Sequence, residues 1–72
     1  MTLEQLTLLI QLTSIRSDGV IAALRSHFVD GLTQREAAIM HGVHEGLFSR
    51  RIKALKEVEA TVRKLTVFYQ KG

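Results

Sequence analysis

The 72-residue sequence has no cysteine and no proline. Without cysteine, no disulfide staples the fold and no thiolate holds a zinc ion. Long apolar runs are missing as well, so no transmembrane span is expected. The opening MTLEQ has no basic n-region, so no signal peptide is read there. The expected location is the cytoplasm, which in a bacterium includes the nucleoid. A Gly-rich phosphate loop is absent, and so are paired carboxylates at a useful spacing. The chain is also too short to enclose a substrate pocket. An enzyme is therefore not expected: no catalytic residue, cofactor or small-molecule substrate is assigned. Internal repeats, low-complexity tracts, linkers and alternating strand patterns are absent too, which leaves one all-α domain over residues 1–72.

A chain this short buries only about 60% of the surface it exposes when unfolded, so it is marginal as a monomer. With no staple available, stability has to come from efficient helix packing or from oligomerisation. Apolar residues make up 46% of the sequence, a globular rather than disordered composition. The formal net charge is +3, and its placement says more than its size. Arg50, Arg51, Lys53 and Lys56 form a block with no acid inside it. Glu4, Asp18, Asp30, Glu36 and Glu45 precede the block, and Glu57 and Glu59 follow it. A one-sided basic patch is the footprint expected for phosphate binding. An arbitrary basic helix is more often just a solvated face, so the reading depends on the residues around the block.

Taken in order, Thr2 and Gln5 have capping-box spacing and start a first helix. Leu3, Leu6, Leu9 or Ile10, and Leu12 give it an apolar stripe that Leu8 widens. This reads first as ordinary core and second as a pairing surface. Ser17 and Asp18 offer N-cap oxygens for a second helix, about Asp18 to Val29. Val20, Ile21, Ala23, Leu24 and Phe28 line its inner face, and Gly31 is placed as a left-handed C-cap. His27, a lone histidine near a helix end, reads as structural rather than as a ligand. Thr33 and Glu36 form the next capping box. The third helix, about Gln34 to His41, turns Ala37, Ala38 and Met40 or His41 inward. Gly42 ends it, Val43 plugs the core from the turn, and His44 sits where a cap residue would lie. A fourth helix starts near Glu45, with Phe48, Ile52 and Leu55 facing the core. Val58, Val62, Leu65 and Tyr69 continue its stripe, with Phe68 beside it. No Pro or Gly interrupts Leu47 to Gln70. The pattern allows one helix of about 25 residues or two with a bend near Lys56 to Glu59, and typical helix length favours the bend. Lys71 and Gly72 read as a frayed end. The expected architecture is a compact four- or five-helix domain.

Residues 33–56 meet the requirements of a helix-turn-helix. Ala38 is small where two helices cross, Gly42 makes the turn, Val43 follows it, and Phe48 and Ile52 anchor the second helix. Two positions are less ideal, because His41 and Arg51 stand where aliphatic residues are common; Arg51 can snorkel along the core edge. The second helix's outer face then reaches the major groove of double-stranded DNA. His44, Glu45, Gly46 and Ser49 are the candidates for base edges. Arg50 suits guanine or phosphate, and Lys53 and Lys56 suit phosphate. Gln34 and Arg35, at the start of the third helix, lie near the backbone crossing.

Several of these segments resemble the PapB-type regulators of bacterial adhesin and fimbrial operons. The similar stretches are LLIQLTSIRSDGVIAALRSHFVDG, EGLFS and VRKLTVFY, within about Leu8 to Tyr69. The most specific pieces are Ser14, Ile15, Ser17, Asp18, Val20 and Ile21, and then Gly46, Phe48 and Ser49. The resemblance implies a small helical DNA-binding protein that acts as an oligomer on AT-rich control regions and regulates transcription of a surface-adhesin operon. Those relatives usually carry longer terminal extensions. Gln34, Arg35 and the residues from Arg50 to Lys53 depart from the family pattern, so the operator sequence does not carry over. The layout is also similar to plasmid repressors of the TrfB/KorA type.

Other readings are weaker. His41 and His44 are three apart, but Gly42 between them ends a helix and no third ligand is evident, so no metal site is expected. A membrane-surface role for the basic C-terminal half would spend an apolar stripe that is better used in a core. A helix-turn-helix serving only as a protein-interaction module is the alternative class. A lone reader of this size covers few base pairs, so a homodimer or higher homo-oligomer is expected. Its candidate surfaces are the leucine-rich first helix and the stripe of Val62, Leu65, Phe68 and Tyr69.

Overall fold

The computed structural model describes residues 1–69. They form four helices: α1 Leu3–Gln11, α2 Asp18–Phe28, α3 Gln34–Met40 and α4 Glu45–Tyr69. The all-α expectation holds, and the helix count is settled by α4. It runs unbroken for 25 residues through the expected bend near Lys56 to Glu59. The expected fraying at Lys71 and Gly72 lies outside the described residues.

Local chemistry explains each boundary. Thr2 caps α1, its hydroxyl accepting from the Gln5 N–H at 3.1 Å. The other half of that capping box is not formed. The Gln5 amide instead donates to Glu59 of α4 at 3.3 Å, so a side chain read as local becomes a link between distant helices. At the end of α1, the Thr13 hydroxyl donates to the Ile10 carbonyl at 2.7 Å and closes the turn. Leu12, expected on the inner stripe, is 63% exposed because the chain has already left the helix there. Ile15, in the loop that follows, is buried instead. Ser17 precedes α2 in extended conformation, but its hydroxyl makes no cap bond. Gly31 has φ +83°, a left-handed conformation that glycine adopts without a Cβ penalty.

The core is drawn from all four helices. Leu6, Leu24, Phe48 and Leu55 are its largest fully buried side chains. Ala23, Ala37 and Ala38 are buried where α2 and α3 meet, and their small side chains let the helices approach closely. Ser26 is the one buried polar residue among those described, and its hydroxyl is satisfied at 2.8 Å by the Nε2 of His41. Of the two residues expected to face inward, His41 is half-buried while Met40 is exposed, although the Ser26 hydroxyl also lies 4.0 Å from the Met40 sulfur. His27 is structural as expected. Its Nδ1 lies 2.8 Å from the Leu32 carbonyl, which can only accept, so Nδ1 donates. Its ring also stands edge-on to Phe28 and Phe48.

α4 is about 37 Å long at the standard rise, and only its first half is packed on both flanks. Val58 and Val62 lean on the core, after which Leu65 and Phe68 are 44% and 77% exposed. The molecule therefore measures 45 × 21 × 17 Å. A Glu59–Arg63 ion pair at 3.7 Å spans one turn of the projecting part. With Arg63 largely exposed, the pair adds little to stability.

Candidate nucleic-acid interface

α3, the turn at Gly42 and α4 form the helix-turn-helix, and each joint has an identifiable cause. The Thr33–Glu36 capping box is complete. The Glu36 N–H donates to the Thr33 hydroxyl at 3.1 Å, and the Thr33 N–H donates to the Glu36 carboxylate at 2.9 Å. The Thr33 backbone N–H, aided by the Thr33 side chain, holds the Glu36 carboxyl below its ordinary pKa. α3 is thereby fixed at its start. At its end Gly42 turns the chain with φ +64°, and the Val43 N–H donates to the Ala38 carbonyl at 2.9 Å. Val43, half-buried, packs against the core from the turn.

His44 starts α4. Its carbonyl accepts from the Phe48 N–H at 2.9 Å, and its Nδ1 accepts from the Leu47 N–H at 3.3 Å. The ring lies over Gly46, where an added Cβ would come within 3.1 Å of the histidine Cε1. Phe48, Ile52 and Leu55 then bury one face of α4 and fix its rotation about its axis.

That rotation sorts the candidate residues. At about 100° per residue, Glu45, Ser49, Lys53 and Lys56 fall on one stripe beside the buried face, with Gly46 close to it. All five are exposed. Gln34, at the start of α3, joins Ser49, Lys53 and Lys56 around a shallow groove between the two helices. Arg50 flanks the stripe, while Arg51 lies about 160° around the axis from Lys53. The basic block read from sequence is therefore divided, and Arg51 is not on the face that carries Lys53 and Lys56. Arg35 is exposed at the α3 start, next to Gln34. Glu57, one turn beyond Lys53, lines the same groove, a part of the face not expected from the basic block. The spacing of four residues from Lys53 was the available signal. Ile39 and Met40 are exposed on α3 and likewise had no assigned surface role.

His41 and His44 engage different partners, Ser26 and the Leu47 N–H. Among the described residues no three potential metal ligands come together, and no helix is long and apolar enough to cross a membrane.

Residues 1–69 match the PapB family, described as adhesin biosynthesis transcription regulatory protein. The chain is 40% identical over 65 residues to the F1845 adhesin operon regulatory protein of Escherichia coli, an alignment covering 90% of this chain and 76% of that protein. It is 38% identical over 65 residues to the AFA-III adhesin operon regulatory protein of Escherichia coli, covering 90% of this chain and 64% of the relative. It therefore spans about two thirds to three quarters of the length of these relatives. Among solved structures, the crystal structure of E. coli FocB superposes with a TM-score of 0.91 at 31% identity, covering 97% of this chain and 80% of FocB.

Proposed function

This chain belongs to the PapB family of adhesin biosynthesis transcription regulatory proteins, and on that premise we propose that it reads double-stranded DNA in the control region of an adhesin or fimbrial operon. Residues 33–56 are the reader, within a single domain spanning residues 1–72. The family match favours this reading over a plasmid-type repressor. The observation that carries it is the groove between α3 and α4. There the half-buried Gln34 and the exposed Ser49, Lys53 and Lys56 line one groove, held by a capped α3 and a glycine turn. Phosphate contacts position such a reader and base contacts specify the site. Lys53 and Lys56 serve as phosphate contacts, with Gln34 and Arg35 at the backbone crossing. Glu45, Gly46 and Ser49 face the bases together with His44. Arg50, at the edge of the stripe, suits phosphate or guanine. The regulator works at the bacterial nucleoid and needs no catalytic residue or cofactor.

The expected outcome is salt-dependent binding to operator duplex in a gel-shift titration. Arg50→Ala should weaken it strongly, and Lys53→Ala should reduce the slope against log salt by roughly one. Wild-type affinity and slope in both variants would defeat the residue assignment. No duplex binding even at low salt would favour a protein-interaction module instead.

Homo-oligomerisation belongs to the same proposal. Leu8 and Leu12 of α1 are exposed, and they border grooves that also take in Val62 and Leu65 of α4. A second copy covering Leu8, Leu12, Leu65, Phe68 and Tyr69 would bury apolar side chains that are exposed among the described residues. Sedimentation should then show association at micromolar concentration, weakened by Leu65→Glu. A stable monomer at that concentration counts against it.

A further inference from the structure

We infer that Glu45 tells amino bases from keto bases: its carboxylate admits adenine or cytosine at one position of the contacted strand and rejects guanine and thymine there. This rests on the DNA-reading proposal above and names what one residue of that face selects. Glu45 is exposed in the first turn of α4, on the stripe that continues through Ser49, Lys53 and Lys56. Its neighbours on that side, Gly46 and Ser49, are short. Glu45 is therefore the longest side chain on the stripe until Lys53, about two turns later.

Two other acids have work inside the fold. Glu36 accepts from the Thr33 N–H, and Glu59 meets the Gln5 amide and Arg63. Glu45 makes neither an ion pair nor a side-chain hydrogen bond among the described residues. The positions that could pair with it along the helix, three and four residues on, hold the buried Phe48 and the neutral Ser49. Its carboxylate is thus left for whatever the stripe meets.

An ionised carboxylate accepts hydrogen bonds and donates none. Phosphates repel it, so it adds nothing to the sequence-independent grip expected of Lys53 and Lys56. In the major groove adenine offers its N6 amino group and cytosine its N4 amino group, whereas guanine offers N7 and O6 and thymine offers O4, all acceptors. Every base pair therefore carries one amino group in this groove, on one strand only. A carboxylate held at one place on the reading face is satisfied when its strand carries that amino group. It faces a keto oxygen, acceptor against acceptor, when the pair is reversed. The discrimination is between the two orientations of a pair, A·T from T·A and C·G from G·C.

An acid in the first turn also suits the helix dipole, and the test separates that role from reading. Glu45→Gln keeps the length, but its amide both accepts and donates, so it tolerates all four bases. Glu45→Ala removes the contact. The 72-residue wild type and both variants are each used to select from a random duplex library. Wild type should enrich adenine or cytosine over guanine and thymine at one position per site, and both variants should lose about tenfold of that preference. Both should also bind a duplex lacking the selected site several-fold more tightly than wild type, because a charge that repels phosphate is gone. In the best wild-type duplex, replacing the amino group of that base by hydrogen should weaken wild type about tenfold and leave Glu45→Ala unaffected. The wild-type half of that comparison alters no residue, so poor folding of a variant does not blunt it. Retention of the amino preference by both variants would overturn the proposal and leave Glu45 as a partner of the helix dipole only. Full-strength binding of wild type to the duplex without the amino group would overturn it too. Salt-dependent binding by wild type with no amino preference at any position would also overturn it, while sparing the DNA-reading proposal. Absence of any salt-dependent duplex binding would remove both.

Discussion

Glu36 and Gly42 hold the two ends of α3, and each can be tested alone. The Thr33 N–H and side chain favour the ionised Glu36, so its folded-state pKa lies below its unfolded value. The stability it contributes is full above the unfolded carboxylate pKa and is lost as pH falls through the folded one. Glu36→Gln keeps a side chain able to complete the box but does not titrate. Its urea midpoint should therefore fall less steeply than wild type on acidification below the ordinary carboxylate range. Thr33→Ala removes the other half of the box and should cost about 0.5–2 kcal/mol in urea unfolding at neutral pH. At Gly42 an added Cβ meets nothing within 4 Å, so only the φ of +64° opposes a side chain. Gly42→Ala should destabilise by about 1–2 kcal/mol without displacing α4, a loss readable by thermal melting.

At the level of elements, α4 has two regimes within one continuous helix. Phe48, Ile52 and Leu55 are clamped in the core, while among the described residues the turns after Val62 are largely exposed. Helical hydrogen bonds protect amides only to the extent that opening them is costly, and uncovered turns open cheaply. Hydrogen exchange should therefore show the greatest protection over Phe48 to Leu55 and a steep fall beyond Val62. If a second copy covers the tail, raising the protein concentration should slow exchange there first. Uniform protection along α4 in dilute protein would contradict this division.

For the molecule as a whole, the margin is narrow. A domain of this size is expected to be stable by roughly 4–11 kcal/mol. Phe48 is fully buried and sits among α2, α3 and α4, with the His27 ring edge-on to it. Phe48→Ala should cost about 3–5 kcal/mol, a large share of that margin, and lower the melting temperature accordingly. Calorimetry or circular dichroism would measure this. Anything that binds only the folded state restores stability by mass action, so operator DNA or a second copy should raise the melting temperature. That rise should be larger in relative effect for the weakened variant.

The sequence by itself determined the helices, most of their caps and the buried anchors. These depend on interactions within three or four residues: Thr33 with Glu36, the glycine at position 42, and the recurrence of Phe48, Ile52 and Leu55. It also carried the family, through short segments that survive as residue types. The tertiary structure decided what depends on partners far along the chain. Gln5 left its own cap for Glu59, and His41, half-buried, meets Ser26 of α2 while Met40 stays exposed. α4 passed unbroken through its expected bend, since nothing in the packing asks it to turn. The basic block divided because burial of three apolar side chains fixes the rotation of α4, and that rotation sends Lys53 and Arg51 to different sides. Periodicity states which residues share a face. Only the packed core states where that face points.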